Sequence, residues 1–316
     1  MIFDMRIDLF VKKDLRIYRR IFLKGLGVQS TFSRNLFSST NSKDQKSDNT
    51  FDEVVKKIRV ENRLKVLFFG SDTFSSKVFK KLFDSKDLWN QMFVVTPPIS
   101  KRGRGQREIH KPPLLELAEE LNVNFQSLSR SGKDALNEFQ ETGFQDDTVL
   151  ITASFPYFIP SPIISSFQTS FCLNVHPSLL PLYRGPAPIQ WQIYNQEQNS
   201  GVTVQDLSSK GFDLGKILAQ RHVPLPKNSG YYEVESFFAE ASGELLCEVL
   251  ANLKSHAKFA KDQDSSKASY APKVNLNHSK INSKSSFNHV RSKFHAFSHR
   301  VESIFTPLLP HKFVSL

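Results

Sequence analysis

Beginning at Leu64, short apolar runs alternate with longer stretches of helical periodicity, and that alternation restricts the possible folds more than any other feature. Leu64–Phe69 (LKVLFF) has the unbroken apolar pattern of a strand buried on both faces, followed by Gly70 and the helix-cap candidates Ser71 and Asp72. Val78, Leu82 and Phe83 give the next segment the apolar stripe of a helix. Met92–Val95 reads as a second strand, and Pro112–Leu121 (PPLLELAEEL) as a helix with proline in its first turn. Thr148–Ala153 and Phe171–Val175 have the character of central strands. Ala187–Tyr194 reads as a helix, Gly201–Asp206 and Lys216–Ala219 as strands, and the amphipathic run Glu235–Leu253 closes the unit. Strands separated by helices predict an α/β fold with a doubly wound, mostly parallel sheet, whose ligands bind beyond the carboxyl ends of the strands. No GxGxxG follows the first strand, which removes the simplest nicotinamide or flavin reading.

The chemistry-bearing residues concentrate after one predicted strand. Leu173–Gly185 reads LNVHPSLLPLYRG, and strand alternation puts Asn174 and His176 on one face, about 7 Å apart along the chain. Pro177 and Pro181 end the strand and stiffen the loop. Further on, Asp213 sits in the glycine-flanked turn GFDLG. An amide, an imidazole and a carboxylate are therefore candidates to meet at one strand end. Taken singly, each also suits a structural duty: a turn cap, a satisfied loop histidine, a turn residue.

Charge divides the chain. Of the net +11, residues 1–46 hold ten Lys/Arg against four Asp, and residues 254–300 hold ten against two, leaving the middle near neutral. Arg16 to Asn41 contains no acid; Ile17, Tyr18, Ile21 and Phe22 share one helical side, with Arg16, Arg19, Arg20 and Lys24 mostly opposite. That composition predicts a mitochondrial transit peptide and disordered linker over 1–46 and a matrix location, although Asp4, Asp8 and Asp14 run against the pattern. Cys172 and Cys247 have no partner at metal-ligand spacing, so neither a disulfide scaffold nor a metal site is expected. With 39% hydrophobic residues and no apolar run of about 18, a soluble chain without a membrane span is expected.

LNVHPSLLP followed by YRGPAPIQW, GVTVQDL and FDLGKIL resembles the formyltransferase family that uses 10-formyltetrahydrofolate, and the likeness runs from about Leu64 to Pro272. LKVLFFGSDTFS is similar to that family's first strand–turn–helix, and ITASFPYFIP to its strand before the active-site strand. KRGRGQREIHKPP and SYAPKV narrow the resemblance to members that formylate initiator methionyl-tRNA. It implies a formyltransferase Rossmann-like catalytic domain over 62–253. It also implies a basic linker and the start of a reduced or incomplete C-terminal tRNA-binding domain over 254–316.

The implied roles are catalysis by Asn174, His176 and Asp213, and folate contact by Ser178, Leu179, Leu180 and Pro181. Contact with tRNA falls to Arg104 with Lys101, Arg102 and Arg107. The TPPISK run ahead of that loop departs from the family's usual Q-P-D, so its approach can be shaped differently. The implied co-substrate is 10-formyltetrahydrofolate, without metal. The implied partner is initiator methionyl-tRNA, with no obligate protein partner evident. A formyltransferase acting on a small amine and a non-catalytic nucleic-acid-binding relative are the alternatives.

Overall fold

A computed structural model of the protein describes residues 63–102, 108–132, 135–139, 148–167, 171–281, 284–299, 306–309 and 312–314. The predicted transit peptide and the tip of the basic loop, with Arg104 and Arg107, lie outside them.

Strand β1 (Leu64–Gly70) lies in the interior of a seven-stranded sheet. Alternation sends Val66 and Phe68 into one apolar layer and Leu67 and Phe69 into another on the opposite face, all four fully buried. Helix α1 (Thr73–Asp84) follows, β2 (Trp89–Thr96) pairs parallel to β1, and a short hairpin of β3 (Ser100–Arg102) and β4 (Glu108–His110) interrupts the return. Helix α2 (Pro113–Glu120) leads to the edge strand β5 (Asn124–Ser127). The chain then crosses back to the other side of β1 with β6 (Thr148–Ala153), α3 (Ser161–Ser166) and β7 (Phe171–His176), which remain parallel. After α4 (Pro188–Tyr194), β8 (Gly201–Asp206) and β9 (Ile217–His222) pair antiparallel, giving the order β5-β2-β1-β6-β7-β8-β9.

The sheet is thus mostly parallel, as the alternation predicts, and its winding direction reverses between β1 and β6. That switch point opens a crevice where Ser71 and Asp72 leave β1 and Ser154 leaves β6.

Helix α5 (Tyr231–Ala251) begins four residues before the predicted Glu235, because Gly230 caps it: the Glu233 carboxylate accepts from the Gly230 N–H at 3.1 Å. It crosses α1 at Gly243, where a Cβ would lie 2.7 Å from the Lys81 Cβ. The short helix α6 (Leu253–Lys258) follows directly. From there the basic segment runs back along the body. Helices α7 (Leu276–Ser279) and α8 (Phe287–Phe297) follow, and β10 (Thr306–Leu309) pairs antiparallel with β11 (Lys312–Val314). Val274, Ala296 and Phe297 join the same apolar layer as Val66 and Phe68. Phe297 packs against Trp191 and Tyr194 of α4 at ring-centroid distances of 5.8 and 5.3 Å, and the Trp191 Nε1 donates to the Pro272 carbonyl at 2.7 Å. No helix among the described residues is long and apolar enough to cross a membrane.

Because Phe297 is 1% exposed in a shared core, Phe297→Ala is expected to lower the unfolding free energy of the body by about 3–5 kcal/mol. Denaturant titration followed by Trp fluorescence checks this. A body transition unmoved by the change would show that α8 is not part of that core.

Candidate active site

Three neighbouring strands place one polar side chain each in a row. Thr152 of β6 lies beside Asn174 of β7, which lies beside Gln205 of β8. The Thr152 hydroxyl donates to the Asn174 Oδ1 at 2.8 Å, which orients the amide so that its Nδ2 points away from β6. Nδ2 then donates to the Asp213 Oδ1 at 3.2 Å, and the Gln205 Nε2 donates to the same oxygen at 3.2 Å. The other oxygen, Oδ2, accepts from the Gly185 backbone N–H at 2.8 Å. The Nδ1 of His176, one pleat beyond Asn174, faces Oδ1 at 3.4 Å.

The sequence leaves open whether Asn174, His176 and Asp213 act singly as structural residues, and the structure brings all three together. A buried carboxylate is tolerable only with such donors around it.

The His176 ring is fixed at its other nitrogen too. Nε2 lies 2.9 Å from the Tyr183 carbonyl, which can only accept, so Nε2 carries a hydrogen. The carboxylate before Nδ1 is placed to form an ion pair with a protonated ring. Tyr183 is itself anchored: its hydroxyl donates to Glu197 at 2.7 Å and accepts from Asn195 at 3.2 Å. Burial, with a smaller effect from the Glu197 carboxylate, pushes that phenol up to about 12, so it stays neutral.

Two cavities flank this cluster. A narrow one of about 40 Å³ is lined by Thr152, Asn174, Ile159, Leu207 and an aromatic group including Tyr157 and Phe158. A larger one of about 510 Å³ is lined by His176, Asp72, Phe74, Ile189, Tyr231 and Tyr270, among others. Phe155, Phe212 and Asp213 wall both. The exposed rings of Phe158 and Phe212 meet edge to face at 5.4 Å beside the narrow cavity. Amide, imidazole and carboxylate therefore stand on a partition between two binding spaces.

The Formyl transferase family profile matches residues 62–250. The chain belongs to the formyl transferase family. It is 33% identical over 238 residues to a methionyl-tRNA formyltransferase of Thermotoga maritima, covering 75% of this chain and 74% of that one. It is 29% identical over 235 residues to the enzyme of that name from Streptococcus sanguinis, covering 73% of each. In fold it is similar to WlaRD, a sugar 3N-formyl transferase solved in the presence of dTDP and 5-N-formyl-THF (TM-score 0.57, 21% identity, 79% of this chain and 84% of that one). It is also similar to an N-formyltransferase from Helicobacter canadensis solved with folinic acid and dTDP-3-aminofucose (TM-score 0.52, 20% identity, 74% and 80%). The protein is a one-carbon formyl-transfer enzyme.

In this formyltransferase the loop after His176 faces inward. Ser178, Leu179 and Leu180 are buried, the Ser178 hydroxyl donates to the Leu182 carbonyl at 2.6 Å, and none of residues 178–181 lines either cavity. Lys101 is exposed on the β3–β4 hairpin, and Arg102 is its last β3 residue. Among the described residues no group of three or more His, Cys, Asp or Glu side chains is placed to hold a metal ion.

Sequence reading misses Thr152, Gln205 and Gln263. Thr152 and Gln205 lie in recognised strands, and only the cross-strand register shows that they flank Asn174. Gln263, from the basic segment, donates to the Asp213 and Gly215 carbonyls at 2.9 and 2.8 Å, while its Oε1 accepts from Arg184 at 2.7 Å. That clamp holds Asp213 at φ +58, a conformation unusual outside glycine.

Asp213→Asn keeps the size but replaces an acceptor oxygen with a donor facing the Gly185 N–H or the other amides. We expect kcat/KM to fall by about two orders of magnitude or more, the typical cost of losing one preorganised electrostatic group. Steady-state formylation kinetics check it, with circular dichroism to verify the fold. Wild-type kinetics would reduce Asp213 to a turn residue.

Proposed function

We propose that the enzyme transfers the formyl group of 10-formyltetrahydrofolate to the α-amino group of methionine on initiator methionyl-tRNA, for translation initiation in the mitochondrial matrix. The observation that carries this reading is the shared wall: Asp213, with Asn174 on one side and His176 on the other, separates two cavities, as a transfer between two substrates requires. The formylated folates in the fold relatives' structures and the names of the sequence relatives support the choice of donor and acceptor.

We assign the folate's reacting end to the narrow, aromatic-lined cavity and the methionyl ester to the larger one, whose Phe74 and Ile189 offer an apolar surface. The loop Ser178–Pro181 backs the site: Thr203, between β7 and β9, receives the Leu180 N–H at 3.2 Å and donates to the Ser178 carbonyl at 2.6 Å. Attack of the amine on the formyl carbon makes a tetrahedral centre whose oxygen gains negative charge. An amide nitrogen has two hydrogens. One from Asn174 is used on Asp213, and the other is directed to the new oxyanion. When protonated, His176 places positive charge at the same point, its Nδ1 between Asp213 and the oxyanion. Each such donor is typically worth ~3–4 kcal/mol in the transition state.

Residues 62–253 are assigned as the catalytic domain, and 254–316 as a basic linker with the beginning of a tRNA-binding region. Lys101, Arg102, Arg104 and Arg107 are assigned to the tRNA backbone, a polyanion that dense cations on a glycine-rich loop attract. The basic, acid-free stretch from Arg16 to Asn41 supports the assignment of 1–46 as a transit peptide.

The deciding experiment incubates the purified chain with 10-formyltetrahydrofolate and, separately, charged initiator tRNA, free methionine or an amino sugar nucleotide. Formylation confined to the aminoacyl-tRNA is expected, and Asn174→Ala should lower kcat by about 10²–10³. Preference for the amino sugar would replace the proposed acceptor with a small amine. No transfer to any acceptor would favour a non-catalytic relative.

For the compartment, a chain lacking residues 1–46 should stay in the cytosol while the whole chain enters mitochondria, read by fractionation. Efficient import of the shortened chain would overturn the transit-peptide assignment.

A further inference from the structure

We propose that Asp72 is a catalytic residue of this enzyme: it receives the substrate's α-ammonium in the larger cavity and takes its proton, releasing the amine for attack. The inference rests on the acceptor reading above and adds a residue to it. Asp72 stands at the sheet's switch point, two residues past the end of β1, and lines the same cavity as His176 and Asp213.

As the N-cap of α1 it spends Oδ1 on the Ser75 N–H at 3.0 Å. The Ser154 and Ser75 hydroxyls and its own backbone N–H also contact the carboxyl group, and no cation contributes to its environment among the described residues. Ser154 is held at φ +47 at the end of β6, the other side of the switch point. Every one of these partners is a neutral donor, and Asp72 is at the same time a wall residue of the larger cavity.

Two acids line that cavity, and they are not alike. Asp213 has its oxygens taken up by Asn174, Gln205, Gly185 and His176. Asp72 is a shielded carboxylate held by neutral hydrogen-bond donors and no counter-ion among the described residues, so an arriving cation adds the one favourable charge contact it lacks. An α-amino group, titrating near ~8, is largely an ammonium at neutral pH and is not a nucleophile in that form. Burial also raises the Asp72 carboxyl above its usual range, which narrows the gap to the amine and makes proton acceptance easier.

The steps balance. The ammonium gives one proton to the Asp72 carboxylate, leaving a neutral amine and a neutral carboxylic acid. The amine nitrogen bonds to the formyl carbon to give the tetrahedral centre, and collapse of that centre breaks the carbon's bond to the folate N10. The second amine proton ends on N10, and Asp72 returns the first to solvent after product leaves.

Asp72→Asn is the discriminating variant, because Asn caps a helix about as well as Asp while removing the charge. We expect an unchanged Tm and a kcat/KM for methionyl-tRNA lowered by about 10²–10⁴, the span that general acid–base groups contribute. Binding supplies a second reading. Wild type should hold methionyl-tRNA more tightly than tRNA carrying the α-hydroxy analogue of methionine, which has no ammonium, and Asp72→Asn should bind both alike.

An Asp72→Asn enzyme with wild-type kcat/KM, or with wild-type discrimination against the hydroxy analogue, overturns the proposal. A wild-type chain that fails to formylate methionyl-tRNA at all overturns the acceptor reading instead, so the two failures are distinct.

Discussion

The hydrogen bonding of one carboxylate sets the geometry on which the rest of the site depends. Asp213 draws together β7 through Asn174, β8 through Gln205, the 183–187 loop through Gly185, and His176 through its Nδ1. Without those donors a carboxylate this enclosed would be costly to keep ionised. With them it fixes the amide, the imidazole and the loop in a single arrangement. Gly185 shows how tight the arrangement is: at φ +110, a Cβ there would lie 2.6 Å from the Tyr270 ring and 2.9 Å from the Ala271 carbonyl. Only glycine lets the backbone N–H reach Asp213 beneath that ring.

Most of the scaffold was legible because buried strands write themselves as apolar runs. β6 and β8 have the residue limits expected from their patterns, and β1 and β7 each extend one residue further. β5 leaves no signal in the sequence because a four-residue edge strand, Asn-Phe-Gln-Ser, carries no apolar run, and α3 leaves none because its six residues bury no side chain. The antiparallel turn of β8 and β9 against β7 could not be read from periodicity, which reports burial and not direction.

The same distinction explains the site. Asn174 and His176 were legible as a pair because alternation alone places them on one face. Thr152 and Gln205 were not, since their role depends on register between strands far apart in sequence. The chemistry of Asp72 was hidden behind its ordinary appearance as a helix cap. Position at the switch point separates it from other caps, and that position exists only once the order β2-β1-β6 is known.

The basic segment after residue 253 is tied into the catalytic arrangement as well as into the core. Gln263 clamps the Asp213 turn, the Ser269 hydroxyl receives the Tyr183 N–H at 2.8 Å, and Ala271 exchanges backbone hydrogen bonds with the Arg184–Ala187 stretch. Tyr183 supplies the carbonyl that holds His176, and Gly185 the N–H that holds Asp213. A segment whose positive charge suits a polyanion is therefore bonded, within a few residues, to the groups that position the reacting centre. Any displacement of residues 263–271 by a bound partner would reach His176 and Asp213 through those bonds. The basic segment and the Asn174–His176–Asp213 cluster are physically joined at the 183–187 loop.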